Sequence, residues 1–454
     1  MKTMLVNFNS PYHVDIARKM MTDDSICVST IVGDYPTEMY SDPIFSGVQK
    51  LDAHHFRMLS TMRRMVPQME YVLSGYDIIK YRELEILFLE NSDRFSFIPI
   101  SVRDRRELYY LLLSYFFNHF LRNKYDCVVF RGVPHMGFDN VIYAIAKNLE
   151  IPIFMVEQTL IDGRSIIVED YENWYTIPED FLSNTTMDEV IKKIDSEILN
   201  KVIGENRELK AIKREQYYTN QYYGGKMLEG NKPDARILKL LMKVPGKLKK
   251  LFLTGQSRER YFSSCILNEI SNKWIYLILR HFYNKKIKKT QKYYNQNSSI
   301  VNKDGNYVFF ALHLQPEKNT APLGGVFDDQ LLAIEILSNS IPQGWSLYVK
   351  EHPVQFNSKR TNNYHYRSID FYKRIKSMKN VKLVSMEDSH EEIMLHARAT
   401  STVTGTTAWQ GLLNGIPAIV FGNKWFTACS SVYRVQSVSD CKNAIEKIVH
   451  SKKE

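Results

Sequence analysis

Residues 125–158 read YDCVVFRGVPHMGFDNVIYAIAKNLEIPIFMVEQ. CVVF is short, apolar and β-branched, VPHMGFD is a turn-rich loop, NVIYAIAKNLE spaces its apolar residues by three and four, and IPIFMVEQ returns to a strand pattern. Strand, loop, helix and strand in so short a span form a βαβ unit, whose crossover makes the two strands parallel. Upstream, MLVNF and SICVSTIV supply two more strands, and helical patterns fill about 45–92 and 104–123.

The same alternation returns downstream. NYVFFALHL, WSLYVKEH, VKLVS, TSTVTG and IPAIVFG read as strands, separated by the helical stretches DDQLLAIEILSNS, SIDFYKRIKSM, HEEIMLHA and TAWQGLLNG. Such regularity predicts an α/β fold with parallel, doubly wound sheets. A chain of 454 residues exceeds what one core usually holds. The expectation is two Rossmann-like domains, 1–185 and 300–454, facing each other across a cleft and separated by a helical basic insert, 186–299.

Composition fits a folded, water-soluble chain, with 44% apolar and 24% charged residues. Five scattered cysteines without a CxxC pair suggest neither a disulfide framework nor a zinc site, and favour a reducing compartment. The first residues, MKTMLVNFNSPYHVD, contain no apolar leader, and no run approaches a membrane span. The net charge of +10 is concentrated: between Lys232 and Lys292 sixteen Lys/Arg face three acidic residues.

Ligands of open α/β sheets sit outside the carboxyl ends of the strands. In the C-terminal half those ends are His313–Glu317 (HLQPE), Lys350–Pro353 (KEHP), Ser385–Ser389 (SMEDS) and Thr404–Thr407 (TGTT). Beyond Gly405, Thr406 and Thr407 open a helix whose N-terminus is either simply capped by a threonine or offers hydroxyls and amides to a phosphate. His352 is either a satisfied, partly buried histidine or a donor to that phosphate. Strand alternation puts Lys350 and His352 on one face and Glu351 on the other.

HLQPE, PLGGVFDDQ, YVKEHP and VTGTTAWQGLLNGIPAIVFG together resemble the capsule polysaccharide biosynthesis proteins, the group that contains retaining β-Kdo transferases. The His-Pro pair and the threonine-rich helix start also resemble the bacterial GT-B sialyltransferases. The resemblance spans most of 300–425, and 125–170 more weakly. It implies a GT-B glycosyltransferase moving a 3-deoxy-ulosonic acid (Kdo, pseudaminic or a related nonulosonic acid) from a CMP-activated donor to a surface-polysaccharide acceptor, without an essential metal. The lack of any Asp-x-Asp triplet agrees with the last point. The donor residues implied are His313, Gln315, Glu317, Lys350, His352, Pro353, Ser385, Thr404, Gly405, Thr406 and Thr407.

The catalytic carboxylate is expected in the N-terminal half, in MVEQTLIDGRS. Glu157 stands directly at the strand end, with Asp162 second, and His352 completes the catalytic set. The relatives carry a contiguous Glu-Asp-Gly here, whereas this chain separates the acid from Asp-Gly. Arg131, His135 and Arg164 are placed on the acceptor or sugar side. Glu157 has a plainer alternative, an ion pair with Arg131 or Arg164 that orders the loop. As nucleophile it would give retention; as base on the acceptor hydroxyl it would give inversion.

The insert mixes cations with apolar residues at helical spacing, in ILKLLMKVPGKLKKLF and WIYLILRHFYNKKIKK. That pairing suits an anionic membrane surface, where a lipid-linked glycan acceptor would sit, or a solvated hairpin packed on the domains. The localisation expected is cytoplasmic, peripheral on the inner face of the bacterial inner membrane. Two rival functions are a GT-B transferase or epimerase using a UDP-sugar, and a basic nucleic-acid-binding protein. The latter finds no RNP, helix-turn-helix or zinc pattern, so no nucleic-acid partner is expected.

Overall fold

The first sheet is threaded through its middle. In the computed structural model β1 (Lys2–Val6), β2 (Cys27–Gly33), β3 (Gln49–Asp52), β4 (Cys127–Phe130), β5 (Ile153–Gln158) and β6 (Ser165–Val168) stand in the order β3-β2-β1-β4-β5-β6. All pairs are parallel except β5 with β6. The residues described are 1–34, 39, 41–66, 70–92, 101–159, 165–172, 273–356 and 366–450, with backbone alone over 273–281.

Alternation along the strands builds two cores. Met4, Val6, Val128 and Phe130 pack under α3 (Val102–Asn123) and α4 (Phe138–Asn148), while Leu5, Cys127 and Val129 pack with α1 (Pro11–Met21) on the other face. α2 (Arg82–Ser92) joins the first of these layers through Phe88. α3 presents Leu108, Leu112, Phe116 and Phe120, spaced by four, with Leu113 beside them, and its start is capped by the Ser101 hydroxyl.

The second sheet contains β7 (Ser298–Ser299), β8 (Tyr307–Ala311), β9 (Ser346–Lys350), β10 (Val381–Val384), β11 (Ala399–Thr402), β12 (Ala418–Val420) and β13 (Val432–Arg434). Their order is β13-β12-β11-β8-β9-β10-β7 and every pair is parallel. Helices α5 (Lys273–Asn297), α6 (Gln330–Ser338), α7 (Ile369–Ser377), α8 (His390–His396), α9 (Thr406–Leu413) and α10 (Val438–His450) cover it. Two doubly wound sheets in one chain make an α/β, GT-B-like fold, as expected.

Several local expectations change. The helical stretch expected over 45–92 contains β3, whose sequence QKLD is too short and polar to register as a strand. The insert expected over 186–299 ends inside the second body. α5 buries Ile287, Thr290 and Tyr294, and Tyr294 packs its ring on Phe356 and Tyr372. Lys285, Lys286, Lys288, Lys289 and Lys292 stay exposed. The apolar stripe here therefore serves the protein core rather than a bilayer, and the remainder of the expected membrane contact, 232–272, lies outside the described residues. Among the described residues no helix is long and apolar enough to cross a membrane.

Tyr294→Ala should thus cost about 3–5 kcal/mol, by analogy with other buried aromatics. Lys288→Ala should stay within about 0.5 kcal/mol. Urea unfolding of the two variants checks this, and a neutral Tyr294→Ala would show that α5 does not belong to the core.

Candidate functional site

Each sheet has one point where neighbouring strands send their connections in opposite directions, and crevices open there. In the second sheet it lies between β8 and β11. His313, just after β8, and Thr404, after β11, meet at that point. The Thr404 amide donates to His313 Nε2 at 3.0 Å, and Thr402 Oγ1 lies 3.0 Å from the same nitrogen. Because an N–H must be the donor, Nε2 is an acceptor and the ring is the neutral Nδ1–H tautomer. Burial, helped by the charges of His352, Lys424 and Arg367, lowers its pKa to about 3.

Gly405 follows and caps α9. A Cβ there would lie 2.6 Å from Thr402 Oγ1 and 3.0 Å from His313 Cε1, so a bare backbone is needed for the close approach. Thr406 is half-buried at the first turn of α9, whereas Thr407 is buried with its hydroxyl 3.2 Å from His390 Nε2. His352, half-buried beyond the end of β9, accepts at Nδ1 from the Val354 amide at 3.3 Å. Pro353 beside it is exposed in the turn.

Behind this edge runs a buried polar network that sequence reading did not find. Arg367 donates through Nε to Glu351 at 2.6 Å, through Nη1 to Gln315 Oε1 at 2.7 Å and through Nη2 to the His313 carbonyl at 3.0 Å. Glu351 also accepts from Tyr372 at 2.5 Å and from the His352 amide at 2.8 Å. Gln330 and Gln355 bond the backbone of His313 and Gln315. One guanidinium therefore ties together the loops after β8 and β9. Arg367 has no sequence signal: it sits at no strand end and in no periodic run.

Five of the expected donor residues are committed to the fold. Gln315 is buried and spends its amide on Arg367, Gln330 and the Asp328 carbonyl. Lys350 diverges from His352, because the strand ends at Lys350 and the shared-face rule lapses beyond it. Its ammonium bonds the carbonyls of Ser385, Met386 and Asp388, and burial lowers it to about 8. Ser385 thus contributes a carbonyl to a lysine, and its hydroxyl accepts from the Glu387 amide. His313, with both its Nε2 partners from protein, positions the β11 loop. Thr404 joins it, donating its hydroxyl to the Asn319 carbonyl at 2.6 Å.

In the first sheet Glu157 lies on the buried face of β5 beside Met155, 3% exposed. Among the described residues its partners are two lysines and an amide, not Arg131. Lys318 Nζ is 2.5 Å and Lys424 Nζ 3.8 Å from Oε1, and the Val133 amide donates to Oε2 at 3.3 Å. Burial would raise this carboxyl, but the charges of Lys318 and Lys424 and the two hydrogen bonds prevail and hold it at about 2. Gly132 leaves the space: a Cβ there would come within 2.7 Å of Oε2.

Arg131 instead bonds Asn9, joining the ends of β1 and β4. His135 donates from Nδ1 to the Val133 carbonyl at 2.7 Å. Asp162 and Arg164 lie outside the described residues. Glu317 is half-buried, within 3.5 Å of Asn319 Nδ2, and its charge reaches Lys424. Lys424 also bonds Asn319 Oδ1 at 3.2 Å. A chain of contacts thus runs from Glu157 through Lys424, Asn319 and Thr404 to His313, so the strand ends of the two sheets meet. Lys424 was within reach of the strand-end rule, since it follows β12 in IVFGNK.

No family model matches the chain, and no curated protein matches it. Among solved structures it is similar to UDP-GlcNAc 2-epimerase from Methanocaldococcus jannaschii at 13% identity, covering 100% of this chain and 94% of that one, with a TM-score of 0.26. The KpsC beta Kdo 2,4 transferase of Thermosulfurimonas dismutans is 16% identical over 36% of this chain and 55% of that chain, at 0.22. The N-terminal domain of Candida albicans trehalose-6-phosphate phosphatase is 10% identical over 99% and 89%, at 0.28. Likeness at these scores assigns no activity.

Two outcomes check the site. The His313 ring should remain neutral at pH 5 in histidine ¹⁵N spectra; a titration near 6.5 would contradict its burial between Thr402 and Thr404. The unfolded ring protonates below about 6.5, so the stabilisation from this residue is complete above that pH and is lost as pH falls toward 3. Arg367→Met strands the Glu351 carboxylate and should cost about 3–5 kcal/mol. Removing exposed Arg374 from its pair with Glu335 should cost no more than about 1 kcal/mol.

Proposed function

We propose that this protein is a glycosyltransferase that transfers a 3-deoxy-ulosonic acid from a CMP-activated donor to a surface-polysaccharide acceptor. The observation that carries the reading is the convergence at the second sheet's switch point. There α9 begins at Thr406 behind its cap Gly405, the charge of His352 reaches His313, and Glu157 of the first sheet connects to the same point through Lys424, Asn319 and Thr404. The positive end of α9 and the Thr406 hydroxyl take the single phosphate. His352 donates to the departing phosphate oxygen, and Lys318 with Lys424 supplies positive charge without a metal.

Leaving CMP creates a cationic anomeric centre, which a carboxylate ionised at neutral pH stabilises. Glu157 fits that task better than general base, because a carboxyl held at about 2 binds a proton weakly. As nucleophile it retains configuration. The basic segment 232–272, with the exposed lysines of α5, would bring the enzyme to an anionic membrane surface carrying the acceptor, with the cytoplasmic face as its place of work.

A binding panel of CMP, CDP, UMP and UDP, followed by turnover of CMP-activated ulosonic acids with NMR of the product's anomeric centre, tests the reading. CMP should bind best and the product should form. Preference for UDP, with no turnover of CMP-sugars, would replace it by a UDP-sugar transferase or epimerase. His352→Ala should lower turnover about 10²–10⁴-fold with an unchanged melting temperature; undiminished turnover would remove His352 from the reaction.

A further inference from the structure

Glu157 meets two lysines from the other sheet, and the geometry of that meeting is unequal. Lys318 makes the short contact at 2.5 Å yet its side chain remains 32% exposed. Lys424 is 13% exposed and sits 3.8 Å away, beyond hydrogen-bond distance, with Asn319 Oδ1 at 3.2 Å. On the other side Glu157 is anchored to its own sheet by the Val133 amide and has its space set by Gly132. The carboxylate is fixed; Lys318 is the member that can turn toward solvent.

We infer that Lys318 and Lys424 form an oxyanion subsite for which Glu157 and an acidic group of the substrate compete. A phosphate or a sugar carboxylate draws Lys318 away, and Glu157 is thereby released as an ionised carboxylate toward the reacting sugar. The inference rests on the proposed reading for what Glu157 does once released, but not for the binding of an oxyanion. No proton or covalent bond moves in this step. Glu317, beside Asn319, carries a charge that also reaches Lys424.

The test is calorimetric titration of the full chain with inorganic phosphate, acetate, CMP and uncharged cytidine. Lys318→Gln leaves Glu157 with Lys424 and the Val133 amide, so the fold should hold. It should weaken the bound oxyanion about tenfold or more, the scale of one charge-assisted hydrogen bond, and leave cytidine unaffected. Glu157→Gln should strengthen the same oxyanion about tenfold, and adding Lys318→Gln should cancel that gain. Phosphate and CMP responding without acetate identifies phosphate as the occupant; acetate responding alone identifies a carboxylate. Equal affinities in wild type and Lys318→Gln for every anion would overturn the subsite. Loss of CMP binding with a retained phosphate response would sink the nucleotide reading alone.

Discussion

A guanidinium buried among three loops holds the carboxyl edge of the second sheet in shape. Arg367 and Glu351 are 2% and 0% exposed in their side chains, and each is satisfied by several partners. A buried ion pair of this kind seldom adds net stability, yet removing one member is severe, because a lone charge remains. Its consequence here is geometric. By bonding the His313 carbonyl, Gln315 and Glu351 together, Arg367 fixes the ends of β8 and β9 relative to one another, and His313 in turn fixes the β11 loop through the Thr404 amide.

The division of labour at the edge follows from that constraint. Lys350, Gln315 and His313 are polar and stand at strand ends, which is where binding residues are sought, but they are spent on backbone groups and on other side chains of the protein. His352, Thr406 and Lys318, by contrast, are only half-buried. A buried layer of satisfied polar groups thus supports a thinner, partly exposed one.

The parallel sheets were legible because the run from Tyr125 to Gln158 and its downstream counterparts alternate strand and helix with few interruptions. β3 and β7 were not, since QKLD and two serines carry no apolar alternation. The alternation expected for Lys350, Glu351 and His352 ends with β9 at Lys350: Glu351 points inward because Arg367 and Tyr372 hold it, and Lys350 because its ammonium bonds the carbonyls after β10. Glu157 could be singled out at its strand end, but its partners could not: Lys318 and Lys424 are separated from it by more than 150 residues of sequence. The same holds for Arg367, whose position becomes meaningful only once Glu351 is seen to be buried.

A crystal structure with CMP bound tests the central claim most directly. The phosphate should lie within hydrogen-bond distance of the Thr406 amide or hydroxyl and of His352, at the start of α9. Nucleotide bound at the first sheet, or with its phosphate away from α9, would contradict it.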